Sequence, residues 1–296
     1  MAAPDRLGPA ASHGEGVWGE VARGDVAPGA HAVYLYALID GAACFMEADG
    51  ELDPSVRPIV HRAGPIAALI SVVPLSDYCD AEAASRLRDL AWLAPRTMHH
   101  AAVLRRAMQC SPVYPAPFAT LFASRDSLSA FMLAHARTLG EFFHAVAGMA
   151  EWELKASACL DGQAALDALA RDAWPDWARL TPGTRYLRLC RDRAGLVAAR
   201  RAVVHDIAAR LAARLQPPAT ALRRLGFQPG SESGSDALVG RFALLVPASG
   251  ASALAQSVRG LAHAAGDDGI KLALSGPWPP FSFRPDLPRL PLPAEG

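Results

Sequence analysis

The chain has 296 residues, room for two domains with a core each, and its 29 Lys+Arg balance 29 Asp+Glu to a formal net charge of zero. A neutral chain sets up no global field that gathers polyanions, so nucleic acid is not an expected partner. Its 51% hydrophobic share is swollen by alanine, with aromatics at only 7%, and no run approaches the ~18 consecutive apolar residues of a membrane span. Met1 to Gly8 lack a basic region followed by an apolar core, so neither a secretory leader nor a membrane partner is expected, and the location expected is cytoplasmic.

Residues 1–30 are rich in Gly, Ala and Pro without periodicity and are expected to form a disordered tail. Within them Gly14-Glu-Gly-Val-Trp-Gly19 spells the dinucleotide-binding pattern, but no strand precedes it and Pro28 and Gly29 follow, so no cofactor is expected there. A first domain over 31–147 opens with a strand, His31 to Ile39, whose two faces are both apolar; that predicts cover on both sides or pairing in an interface. Arg57–His61 and Ile66–Val73 predict a hairpin about Ala63-Gly64-Pro65. Asp80 is expected to cap a helix that carries Leu87 and Leu90 and is interrupted by Pro95. A second helix then runs to about Gln109 with Met98, Ala101, Leu104 and Met108 near one face. Val113 to Phe122 reads as a strand that Pro115 and Pro117 confine to an edge or bend around a bulge. Ser124 can cap the next helix, whose stripe of Leu128, Phe131, His135, Leu139, Phe142 and Val146 ends at Gly148.

A second domain is expected over 148–285. Trp152, Leu154 and Ala156 alternate with Glu151, Glu153 and Lys155, the signature of a half-buried strand. Pro175, Pro182 and Gly183 break a variable stretch. The longest helical pattern follows, Arg185 to Leu215, with a stripe of Leu189, Leu196, Val203, Ile207, Leu211 and Leu215, and Pro217-Pro218 stop it. After a flexible loop at 229–236 come a strand from Leu238 to Val246, a helix from Ser252 to Ala265 and a closing strand from Ile270 to Leu274. The fold class expected is α+β: two ferredoxin-like layers joined by helices, with the long helix in the second. Residues 286–296 are expected to be a Pro-rich extended tail.

The closing strand leads into Ser275-Gly-Pro-Trp-Pro-Pro-Phe-Ser-Phe283. Prolines at 277, 279 and 280 exclude helix, so Trp278, Phe281 and Phe283 must ride on an extended arm. Two roles are open to it: a plug whose Trp278 fills the domain's own core, the role the strand exit favours, or an arm that docks a partner. This motif resembles the closing motif of the gas vesicle proteins GvpF and GvpL. Val33-Tyr-Leu-Tyr-Ala-Leu-Ile39 is similar to that family's opening strand. His100-Ala-Ala-Val-Leu-Arg-Arg106 with Pro112-Val-Tyr-Pro-Ala-Pro-Phe118 and Thr120-Leu-Phe122 is similar to its centre, and Glu151-Trp-Glu-Leu-Lys155 to the strand opening its second domain. One departure stands out: where the family's centre reads Pro-Leu-Arg-Phe-Gly, Ala116-Pro117-Phe118-Ala119 lacks the arginine and the glycine. The resemblance implies the same two-domain architecture, a place at the gas vesicle, and contact with the small hydrophobic shell protein and other vesicle proteins.

No catalytic set is legible. His99 and His100 are adjacent on a helix and point about 100° apart, so both cannot readily face one ion, and His100 is expected to be structural. His205-Asp206 and His263 read as surface groups, and Gly266-Asp-Asp-Gly269 as a helix-to-strand turn with too few oxygens for calcium. The five cysteines lie far apart without metal spacing and are expected to be buried free thiols, with no disulfide and no zinc. The expectation is therefore a non-enzymatic assembly protein without metal or cofactor. Its interaction candidates are Trp278, Pro279, Pro280, Phe281 and Phe118. The alternative is a monooxygenase-like enzyme on paired ferredoxin-like domains, because a fold does not dictate its function.

Overall fold

The computed structural model describes residues 30–45, 57–79, 82–215, 219–227 and 236–288, and these divide into two compact units. The expected tail and dinucleotide-like pattern, the Asp80 cap, the loop at 229–235 and the last residues of the Pro-rich end lie outside them.

The first unit opens with β1 (His31–Asp40), the hairpin β2 (Ile59–Ala63) and β3 (Ile66–Pro74), and the helices α1 (Ser76–Cys79), α2 (Ala83–Arg86) and α3 (Leu90–Ala107). Then come β4 (Val113–Pro115), β5 (Leu121–Phe122), α4 (Arg125–Ala134) and α5 (Ala136–Val146). The hairpin turns at Gly64-Pro65, with Gly64 at φ 60 and Ala63 paired to Ile66. The sheet runs β2-β3-β1-β4, with β5 also on β1. As its apolar faces require, β1 is covered on both sides: every residue from Ala32 to Ile39 is 5% exposed or less.

A bulge changes which of its residues face α3. The register with β3 steps from Leu35↔Ile70 to Ala37↔Leu69, so Tyr36 is the extra residue. Ala32, Tyr34 and Tyr36, and past the bulge Ala37 and Ile39, form one cluster with Val103, Leu104 and Ala107 of α3.

Two helix expectations need correction. Pro95 does not interrupt a helix: α3 runs through it from an N-cap at Asp89, whose side chain accepts from Ala91 N–H at 3.0 Å. Its buried face is His100, Val103, Leu104 and Ala107, while Met98, expected inside, is 71% exposed. The stripe expected from Leu128 to Val146 is two helices meeting at His135, although its start is as expected: Ser124 and Ser127 cap each other reciprocally.

The second unit holds β6 (Met149–Ala158), α6 (Gln163–Ala173), α7 (Pro182–Ala213), β7 (Ala221–Arg224), β8 (Ala237–Pro247), α8 (Ala251–Asp267) and β9 (Ile270–Trp278), with sheet order β7-β8-β6-β9. This βαββαβ succession is that of a ferredoxin-like layer, and the strand order repeats that of the first unit. Pro182 opens α7 in place of breaking the chain, since the first helical residue needs no N–H, and Thr181 caps it. Its buried stripe is Leu189, Leu196, Val204, Ala208 and Leu211, one residue off the expected Val203 and Ile207. The buried face turns along the helix because its partner changes: Leu189 and Leu196 pack with Leu166, Ala170 and Trp177, whereas Val204, Ala208 and Leu211 join the core of the sheet. Sequence reasoning missed α6, whose Leu166 and Ala170 pack with Trp177 and Leu189, and the short, arginine-bearing β7.

The closing strand does not stop at Leu274. It continues to Trp278, through a cis Gly276–Pro277 peptide bond. Residues 278–288 then group with the first unit and not with the second domain to which the sequence assigns them.

Candidate functional site

Pro115 and Pro117 have no N–H to give a ladder. The strand expected over Val113–Phe122 is accordingly two short pieces on the edge of the sheet, β4 and β5, both paired with β1. Between them Ala116 N–H donates to Tyr36 O at 3.0 Å, and Thr120 O accepts from Leu35 N–H at 2.9 Å. The chain turns at Ala119, which has a φ of 63.

Tyr34 and His100 hold this broken edge from inside. The Tyr34 hydroxyl donates to His100 Nδ1 at 2.8 Å, His100 Nε2–H donates to Ala116 O at 3.2 Å, and Ala119 N–H donates to Tyr34 Oη at 3.2 Å. A neutral imidazole with its proton on Nε2 satisfies all three bonds, and burial favours that uncharged form. Burial of His100, which is 5% exposed, pushes its pKa down to about 4; His99 adds to the shift and the Ala116 carbonyl opposes it. Burial also pushes the Tyr34 phenol far up. Both ring nitrogens are thus engaged within the fold. The Phe118 ring stands edge-on to Tyr34 and His100, with centroids 6.2 and 6.0 Å away.

Ala119 occupies the position of the motif's glycine, and its left-handed backbone gives the physical reason for a glycine there. A Cβ in that region costs about 1–2 kcal/mol, partly offset because glycine is more flexible in the unfolded chain. Ala119→Gly is therefore expected to stabilise the protein by about 0.5–1 kcal/mol, read as a higher midpoint in urea. A lower midpoint would show that the left-handed turn carries no strain.

The arm holds the same edge from outside. Arg284 Nη1 donates to Pro115 O at 3.1 Å, Tyr114 Oη donates to Pro285 O at 3.3 Å, and His135 Nε2 donates to Pro288 O at 2.9 Å. Leu287 is buried at 2% exposure, and Pro279 and Pro280 are buried too. Trp278 is 47% exposed and Phe281 36%. The plug expected at Trp278 is therefore made by other residues: the prolines and Leu287 are buried, and the two aromatics flank them with large faces toward solvent. The structure gathers four of the interaction candidates on this arm and sets Phe118 against the Tyr34–His100 pair.

The remaining lures have structural roles. His205 lies 3.3 Å from Arg224, and its pKa is lowered by burial and then by that arginine. His263 is exposed, and Gly266–Gly269 is the turn from α8 into β9, with Gly269 at φ 68. Among the described residues no group of three or more His, Cys, Asp or Glu is placed to hold a metal, and no helix is long and apolar enough to cross a membrane.

The family model for gas vesicle synthesis protein GvpL/GvpF matches residues 32–285. The chain belongs to this family. Its span takes in both layers, the Tyr34–His100 pair and the arm as far as Pro285. Gas vesicle protein L2 of Halobacterium salinarum is 27% identical over 270 residues, covering 86% of this chain and 91% of that protein. Crystal structures of GvpF share the fold at 16% identity. The one from Anabaena gives a TM-score of 0.63 over 88% of this chain and 98% of its own, and the one from Microcystis aeruginosa 0.58 over 86% and 99%. Membership of the GvpL/GvpF family supports a role in gas vesicle assembly.

Sequence reasoning missed Tyr34, Arg284, Tyr114 and Leu287. Tyr34 sits in an apolar strand like any core aromatic, and no local spacing links it to residues 100 and 119. Arg284 alone carried a signal, as a charged residue closing an otherwise apolar motif.

Proposed function

We propose that this protein is a non-enzymatic assembly factor that binds the small hydrophobic shell protein, together with other vesicle proteins, while a gas vesicle forms in the cytoplasm. The observation that carries the reading is the family match over nearly all of both units. Two features of the chain agree with it. His100, buried in the first unit, spends both ring nitrogens on Tyr34 and Ala116, which leaves it no free lone pair for acid–base work. The arm offers Trp278 and Phe281 on a backbone stiffened by Pro279 and Pro280, so an apolar partner can be met with little loss of conformational freedom. Aromatic anchors of this kind dominate the energetics of many interfaces.

The test is complementation of a clean deletion strain. Without the gene, cells should hold no vesicles, or few and malformed ones, and the wild-type gene should restore them. The Trp278→Ala/Phe281→Ala double variant should still fold, with a stability loss of about 2–3 kcal/mol, since both side chains are only partly buried. It should bind the shell protein about 30-fold more weakly or worse and fail to restore vesicles. Normal vesicles in the deletion strain would overturn the assembly role; full binding by the double variant would overturn the arm's part in it.

A further inference from the structure

The five thiols expected to be buried are not: Cys44, Cys110 and Cys190 are exposed, and Cys79 and Cys159 partly so. Two of the exposed three are brought to one corner of the first unit by the end of β1. Asp40, its last residue, donates its N–H to Ser111 Oγ at 3.2 Å, and Ile39 pairs with Val113. Cys110 immediately precedes that serine. On the other side Asp40 starts a tight turn, with Ala42 N–H donating to its Oδ1 at 2.8 Å and Ala43 N–H to its carbonyl at 3.0 Å. Arg62 fastens the turn from β2, donating to the carbonyls of Gly41 at 2.5 Å and Ala43 at 3.3 Å. Ala43 and Phe45 then pack against the same core cluster as Met108 near the end of α3. Cys44 is the outward residue between two inward ones, and Cys110 follows the last turn of the helix on which Met108 is anchored. The two thiols are near enough for the charge of one to disfavour ionisation of the other, with burial the larger cause at Cys110 and Arg106 opposing both.

We propose that Cys44 and Cys110 are a reversible redox pair, joined as a disulfide by hydrogen peroxide and separated again by a small dithiol. In the first step one thiolate attacks peroxide; its sulfur gains the hydroxyl as a sulfenic acid, and the O–O bond breaks with release of hydroxide. In the second the other thiolate attacks that sulfur, the S–S bond forms, and the hydroxyl leaves as water once protonated. Over both steps two thiols and one peroxide become one disulfide and two waters, with two electrons passing from sulfur to oxygen. The bond ties the segment after β1 to the end of α3 and so staples the side of the first core on which Phe45 and Met108 lie.

Treating the full chain with equimolar hydrogen peroxide, alkylating the remaining thiols and mapping peptides by mass spectrometry tests this directly. The expected product is a peptide carrying Cys44 linked to one carrying Cys110, released by dithiothreitol and absent from Cys44→Ser and Cys110→Ser. The oxidised wild type should melt about 5 °C higher or more, because the link restricts the unfolded chain, and neither serine variant should shift. Recovery of both cysteines singly alkylated or singly oxidised, or their appearance in links between molecules or to the other three cysteines, would overturn the pairing. The peptide map needs only the wild-type protein, so a serine variant that failed to fold would leave the test intact.

Discussion

Folding stability is expected to fall by about 3 kcal/mol between pH 6.5 and pH 4 on account of a single residue, His100. Its pKa is about 4 in the fold against an ordinary value of 6.5. Between those values the unfolded chain binds a proton that the folded protein refuses. Stability therefore rises with pH across the window, is fully present above about 6.5, and is lost as pH falls toward 4. The cause is geometric. A second ring proton would face the Tyr34 hydroxyl at Nδ1, which now receives a hydrogen bond, and the charge would sit in a core shared with Val103, Leu104 and Phe118. Urea titrations of wild type and His100→Gln across pH 4–7.5 measure the effect. The variant should be the less stable at pH 7.5, having lost at least one of two buried hydrogen bonds, and the gap should close as pH falls. Parallel curves would show that His100 takes up its proton with the same pKa in the folded as in the unfolded chain.

The second large effect is expected at Gly276 of β9, the strand beside β6. A Cβ there would lie 2.9 Å from two ring carbons of Trp152 and 3.0 Å from the Glu151 carbonyl oxygen. The backbone φ of 146 is also one that side-chain-bearing residues rarely adopt. The ring could tilt; the carbonyl, part of a central strand of its sheet, has less room. Backbone strain of about 1–3 kcal/mol and overpacking of a similar size together give Gly276→Ala a cost of about 3–5 kcal/mol. That corresponds to a melting temperature lower by roughly 10 °C. Adding Trp152→Ala to Gly276→Ala removes only the ring clash, so the pair should cost less than the sum of the single changes while the double variant stays well below wild type. Strict additivity would mean that the ring is not what the new methyl meets, and an unshifted Gly276→Ala melt would refute the close approach itself.

The element types and most of the chain order were legible because they depend on neighbours in sequence. The apolar faces of β1, the Gly64-Pro65 hairpin, the serine cap of α4 and the edge position that Pro115 and Pro117 impose are each written within a few residues. So were the motifs of the GvpL/GvpF family, including the arm. What failed did so where a long-range choice overrides a local pattern. Pro95 looked like a stop, but in the second turn of α3 it forfeits a single hydrogen bond while the helix keeps its buried face. The α7 stripe was read as one continuous face, whereas its first half packs with α6 and Trp177 and its second half with the sheet core. β7 has two arginines in four residues and no apolar alternation to betray it; it is a strand because β8 lies beside it.

The candidate site divides the same way. Proline chemistry, a property of the chain itself, excluded an α-helix after Ser275, but the wholly extended arm expected there is corrected by the structure: Phe281–Phe283 form a single 3-10 turn, with Phe283 N–H donating to Pro280 O at 3.2 Å, because a tight turn needs no N–H from Pro279 or Pro280. Only the tertiary structure decided that Pro279, Pro280 and Leu287 are the buried residues while Trp278 stays half in solvent, that Arg284 and Tyr114 fasten the arm to the first unit, and that Tyr34, His100 and Ala119 lock the edge it lies on. The reason is physical: propensity and periodicity are set by residues three or four positions away, but exposure and hydrogen-bond satisfaction are set by whichever distant segment arrives. Nothing local to residue 34, 100 or 284 encodes its partner.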